Sequence, residues 1–414
     1  MQQQKHSRGL SAPSPQLAAI LSVIILGIYS IYVYSGTGQE LYAWSKSFAP
    51  YSIRQYLGMS KRYLLQYGHI VFLFSLLVLS RYLFVSQNHL SIFGSKLRWL
   101  NRYSTPIFLF HFPILYFIVA ITDYDRTSLF DQTVLLVATL LFATALGRLC
   151  FKLKPYFDGW QKQLMTKLDG RFPRPQELNI SSDQFLITRS HSEFLTLVKL
   201  VATMCVVLGH YSFSNFTTIY IPGFDGAAPR FAVPTFFMMS GYFLMMSIDR
   251  SKSGAIGVIV KRAFAMYYIL LPMLVITLVL DNIGYRADAA AYQFTDYYIS
   301  ENARRPYSIG EIGTIFASSM LYFNESWLFD LFGVQADLGG VRAFSNDPFW
   351  FMCYLIPFSV ILAVGRLVST SWSILILTTW CLLIGPPILM LAPLFFAGSL
   401  AYIVHKKWGV SDHV

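Results

Sequence analysis

Charged side chains are scarce in this chain: 13% of its 414 residues are Asp, Glu, Lys or Arg, against about 25% in soluble domains. With 55% of residues hydrophobic, that scarcity places most of the chain in lipid. Ten-residue stretches of alternating polarity are missing, which excludes a β-barrel; the spans are therefore expected to be helices that satisfy their own backbone. Cysteine is rare too. Cys150, Cys205, Cys353 and Cys381 fall in or beside apolar runs without metal-ligand spacing, so they read as buried thiols and imply neither disulfide nor metal site. Acidic residues number 21 against 32 basic ones, a formal charge of +11. No phosphate-tracking motif accompanies that excess, and nucleic acid is excluded as a partner. The excess instead clusters in short loops.

Apolar runs predict spans at 16–36, 65–85, 105–122, 131–149, 194–212, 230–248, 262–282, 349–366, 371–386 and 388–405, each near the roughly 20 residues needed to cross a bilayer. The fold class is thus an all-α integral membrane protein of about ten helices in one bundle. Gly385-Pro386-Pro387 reads as a tight turn between the last two spans. The first apolar run is too long for a signal-peptide core and is read as a retained span. Lys5 and Arg8, Lys96 to Arg102, Lys152 to Lys167, Arg250 to Arg262, Arg366, and Lys406-Lys407 fall on one side, which the positive-inside rule makes cytoplasmic, with both termini. The 37–64 loop, with Lys46, Arg54, Lys61 and Arg62, dissents. Three parts follow: a four-helix segment 1–149, a charged cytoplasmic linker 150–192 containing Pro155, Pro173 and Pro175, and a six-helix segment 193–414. Its outward insert, 283–348, reads equally as a folded cap, an acceptor-binding surface or a solvated loop.

Ionisable groups inside spans are costly and are candidates for function. Lys199 and His210 lie eleven helical residues apart, about three turns and ~16 Å, on nearly one face. The lysine at the inner mouth suits a phosphate-bearing donor, and the deeper imidazole suits proton transfer. A snorkelling lysine and a packing histidine fit the same spacing. His111, between Pro106 and Pro113, either shares that cavity or packs between helices whose carbonyls the prolines free. Ser240-Gly241-Tyr242 is a small-residue step that favours close helix approach. Lys261 and Arg262 are topology anchors or further phosphate contacts.

Taken together, these segments resemble the acyltransferase-3 family of membrane acyl-CoA-dependent O-acyltransferases. The resemblance rests on Lys199 through Val206-Val207-Leu208-Gly209-His210, matching an Arg-x10-His helix, and on Val233-Pro234-Thr235-Phe236-Phe237 through Ser240-Gly241-Tyr242. Lys261-Arg262, Asn346-Asp347-Pro348-Phe349-Trp350-Phe351 and Phe395-Phe396-Ala397-Gly398 are similar to later family motifs. Tyr103 to Pro113 resembles the family's penultimate helix, yet it precedes the others. The order therefore reads as a circular permutation, with 16–149 supplying the last four family helices and 194–405 the first six; a fusion of two truncated copies is the rival. Lys199 stands where the family has arginine, and Ala265 replaces the second arginine of an Arg-x-x-Arg pair, which puts a weakened or altered donor site in view.

The resemblance implies transfer of an acyl group, acetyl by expectation, from cytoplasmic acyl-CoA to a hydroxyl of a cell-envelope or exported polysaccharide, in a bacterial inner membrane. His210 is then the catalytic base, and Lys199, Lys261 and Arg262 hold the donor. His111, Ser240, Tyr242 and Trp350 contact substrates, and no metal is implied. Ser240 as an acyl-enzyme nucleophile is the alternative to direct transfer. A glycan transporter or flippase, or a catalytically degenerate assembly partner, fits the composition as well.

Overall fold

The computed structural model describes residues 13–37, 40, 43–44, 63–83, 91–168, 188–218, 227–250, 255–292, 307–328, 341–368 and 370–407. Outside them lie the basic N-terminal stretch, most of the 37–64 loop, residues 169–187 with Pro173 and Pro175, and parts of the insert. The described elements are helices: α1 Pro15–Tyr34, α2 Tyr63–Leu83, α3 Ser91–Ile121, α4 Leu129–Leu168, α5 Arg189–Tyr211, α6 Ala227–Asp249, α7 Ala255–Ala287, α8 Ile309–Leu321, α9 Trp350–Leu367, α10 Thr370–Leu389 and α11 Ala392–Lys407. Among the described residues nine helices are long and apolar enough to cross a membrane. The tenth expected span, α11, has 16 residues, fewer than an untilted crossing needs.

Helix starts follow local chemistry. Ser14 accepts from Leu17 N at 3.2 Å ahead of Pro15, and Ser308 forms a reciprocal capping box with Glu311, satisfying amides that the first turn leaves unpaired. The stretch expected to be linker begins as helix: α4 runs through Pro155 to Leu168. The four cysteines are free thiols, three of them buried.

Helix α3 packs against α4, α5 and α7, while α6 packs against α5, α9 and α11. Helices α6 and α11 approach closely. A Cβ on Gly241 would collide with the Phe395 carbonyl, and one on Gly398 with that of Met238; Ser399 Oγ donates to Gly241 O at 3.1 Å. Gly241 and Gly398 are thus packing devices.

Proline removes a backbone donor and frees the carbonyl four residues before it. The insert supplies the replacement donors. Pro113 frees Leu109 O, which accepts from Asn346 Nδ2 at 2.6 Å. Pro386 and Pro387 free Leu382 O and Leu383 O, which accept from Trp327 Nε1 and Ser326 Oγ, both at 2.7 Å. Gly385, at φ +75°, ψ 176°, makes the break within α10, and the Trp327 ring occupies the place a Cβ would take. Asp281 of α7 accepts from Ser345 N at 2.9 Å and Ser345 Oγ at 2.6 Å. Of the readings open for the insert, its described inner part is folded: Tyr322, Asn324, Ser326, Phe344, Ser345 and Asn346 are buried. Asn324 is held by bonds from its Nδ2 to Ser319 Oγ and Val341 O.

Candidate active site

Helices α3, α5, α6, α7 and α9 enclose a cavity of about 270 Å³. Lys199 and Arg262 line it, with Ser104, Thr105, Thr203 and Ser240 as further polar groups and no carboxylate. Two cations with no carboxylate among the described lining residues favour an anionic ligand there, because burying charge demands pairing. The rest of the lining is apolar, including Phe108, Phe236, Met266 and Phe351. Ala265 also faces the cavity, so the side chain that replaces the second arginine leaves room where a guanidinium would stand.

His210 lies seven residues beyond Thr203 on α5, a rise of about 10 Å. Neither it nor His111 lines the cavity. His111 is fully buried, and its Nε2 lies 2.8 Å from His210 Nδ1. On its other side, His111 Nδ1 meets the carbonyls of Ile107 and Phe108 at 3.0 and 2.9 Å. Carbonyls only accept, so His111 Nδ1 carries the proton and, in a neutral pair, its Nε2 is an acceptor. His210 Nδ1 must then donate, which leaves the lone pair on His210 Nε2. The partners thus assign one tautomer to each ring, and the tautomer of His210 is the one a general base requires.

The pair is held from several sides. Phe112 and Phe213 rings lie 4.8 and 5.5 Å from the His210 ring, centroid to centroid. Beyond it, Tyr211 Oη donates to Gln132 O of α4 at 2.8 Å, and Thr217 Oγ1 bonds Gln132 Oε1, fixing the end of α5.

The residues singled out from the sequence divide into three groups. Lys199, Arg262 and Ser240 share the cavity, and His111 joins His210 beyond it. Tyr242, Trp350 and Lys261 lie elsewhere. Tyr242 is buried with its hydroxyl 2.9 Å from His405 Nδ1. Trp350 packs against Phe351 and Tyr354, and Lys261 is exposed. Sequence reasoning missed Thr203 and Ser104. Thr203 stands one helical turn after Lys199, a spacing that could have flagged it; Ser104 carries no such signal. Among the described residues no group of three His, Cys, Asp or Glu side chains is placed to hold a metal ion.

A family model described as an acyltransferase domain matches residues 192–411, just over half of the chain. Lys199, His210, Ser240 and Arg262 fall inside the matched segment, and His111 lies outside it. No curated protein and no solved structure matches.

Proposed function

The chain belongs to the acyltransferase-3 family and is a membrane acyltransferase, and from that premise we propose that it moves an acyl group, acetyl first among candidates, from acyl-CoA to a hydroxyl of a cell-envelope or exported polysaccharide. The observation that carries this reading is the His111–His210 pair. It leaves one unprotonated imidazole nitrogen on the helix that carries Lys199, about two turns beyond the last residue of that helix to line the cation-bearing cavity. Lys199 and Arg262 hold the donor's phosphates, as paired or charge-assisted contacts do. His210 Nε2 takes the proton of the acceptor hydroxyl, whose oxygen attacks the thioester carbonyl. The carbon–sulfur bond breaks, and the thiolate recovers the proton from the imidazolium. His111 supports that imidazolium through its own bonds to Ile107 O and Phe108 O. Direct transfer is preferred over an acyl-Ser240 enzyme because Ser240 lies on the cavity while the histidine base lies beyond it.

The circularly permuted order is part of the same proposal. Its support is that α11 packs against α2, and α2 against α1, so the chain's first and last described helices share a neighbour. A bacterial inner membrane with cytoplasmic termini completes the reading, on the loop charges above.

Transfer is tested in vesicles with labelled acyl-CoA and a glycan acceptor, wild type against His210→Ala. Label on the glycan that disappears in the variant at normal abundance is the expected outcome. Movement of unlabelled glycan across the vesicle membrane, with no acylated product, overturns it in favour of a transporter.

A further inference from the structure

Between the cavity and the histidines stand three phenylalanines. Phe108 of α3, Phe236 of α6 and Phe351 of α9 form a closed triangle of rings, with centroids 5.6, 5.7 and 5.6 Å apart. All three line the cavity, and their places in the chain put them at one end of it. On α3 the lining residues are Ser104, Thr105 and Phe108; Phe108 is the last before His111, and the two rings are 6.4 Å apart. Helix α6 begins at the end of the bundle where α5 finishes, and Phe236 is its first lining residue. The start of α9 is fixed at the same level by Asn346, whose amide donates to Leu109 O one residue past Phe108; Phe351 is the first lining residue of α9. Three helices therefore each contribute a phenylalanine as the final side chain before the imidazole pair.

We propose that this ring triangle is the partition of the active site, setting which acyl groups reach His210 and keeping water from the thioester. The inference rests on the donor reading above. A cavity that held thioester and water beside an unprotonated imidazole would hydrolyse the donor. The hydroxyl of water would add to the carbonyl, the carbon–sulfur bond would break, and carboxylate and thiol would leave. Rings at these distances are in contact, so the passage opens only as the rings turn, and a small acyl group demands the least displacement. The triangle is a specificity-determining element and is not itself catalytic.

The test uses the full-length protein in vesicles with acetyl-, butanoyl- and octanoyl-CoA. Phe236→Leu and Phe351→Leu trim a ring while keeping an apolar side chain, and Phe108→Trp enlarges one. Thermal unfolding and donor binding show which variants are intact. In an intact leucine variant, hydrolysis without acceptor is expected to rise about tenfold or more relative to transfer, and the longer donors are expected to gain on acetyl. The tryptophan variant is expected to shift the chain-length profile the opposite way. An added His210→Ala change is expected to abolish the new hydrolysis. Intact variants with the wild-type ratio and the wild-type chain-length ranking overturn the proposal, as does hydrolysis that survives loss of His210. Should both leucine variants fail to fold, the tryptophan profile alone decides. A wild-type protein that binds no acyl-CoA at all removes the donor reading instead, and that result is visible before any ring is changed.

Discussion

Replacing His111 with phenylalanine preserves a flat buried ring while deleting both nitrogens. His210 Nδ1–H, now 2.8 Å from an acceptor, would be left buried without one, a loss of about 1–3 kcal/mol. Part of that loss is recovered if the His210 proton moves to Nε2, where it removes the base. A bias of that size shifts the tautomer balance by roughly 5- to 150-fold, at about 1.4 kcal/mol per factor of ten. The imidazolium formed during transfer also loses its support, and hydrogen bonds to charged groups contribute about 1.5–3 kcal/mol. Turnover is therefore expected to fall by about 10²–10³-fold. The KM for the donor should stay close to wild type, because Lys199 and Arg262 line the cavity that His111 does not reach. Single-turnover transfer from labelled acyl-CoA at several donor concentrations separates the two quantities. A folded, normally abundant His111→Phe protein that turns over within about threefold of wild type refutes the tautomer argument and returns His111 to a packing role.

Other expectations follow from the same geometry. Lys199→Met should raise the donor KM by about 10–100-fold, since it deletes one of two charge-assisted contacts worth about 1.5–3 kcal/mol, whereas Lys199→Arg should lower it through a bidentate fork; donor titrations of the two variants read this directly. Gly385→Ala should lower the unfolding temperature by several degrees, because φ +75°, ψ 176° is essentially a glycine conformation costing others about 1–3 kcal/mol, and the Trp327 ring must also move. Gly398→Val should part α6 from α11 and show as sharply reduced abundance of folded protein in size-exclusion profiles, since the added atoms meet the Met238 backbone rather than a side chain that can turn away. Opening the chain within 169–187 and joining the end of α11 to the start of α1 should yield an assembled protein if the order is a permutation; failure to assemble under conditions where wild type does counts against it.

Much of the fold was legible in the residues themselves. A bilayer demands long apolar helices, so the span count came from composition to within one helix, and α11 differed because its apolar stretch is short. The Ser240-Gly241 step announced close packing, and Lys199 and Arg262 each stood out as a candidate phosphate contact, but the residues did not say that the two line one cavity. The extension of α4 through Pro155 was not legible, since proline and charge ordinarily signal a linker. Nor was the folded state of the insert, whose described inner part fills hydrogen-bonding positions on α3, α7 and α10.

What the sequence determined by itself is the medium and the material: a chain too apolar for water, prolines that free carbonyls, and buried imidazoles that need partners. Only the tertiary structure decided who meets whom. His111 and His210 stand 99 positions apart, and Asn346 reaches Leu109 across 237. A proline states that a carbonyl lacks a donor, and a histidine states that a proton has two places to sit. Neither states which distant side chain arrives, because that depends on how the helices pack around each other in three dimensions.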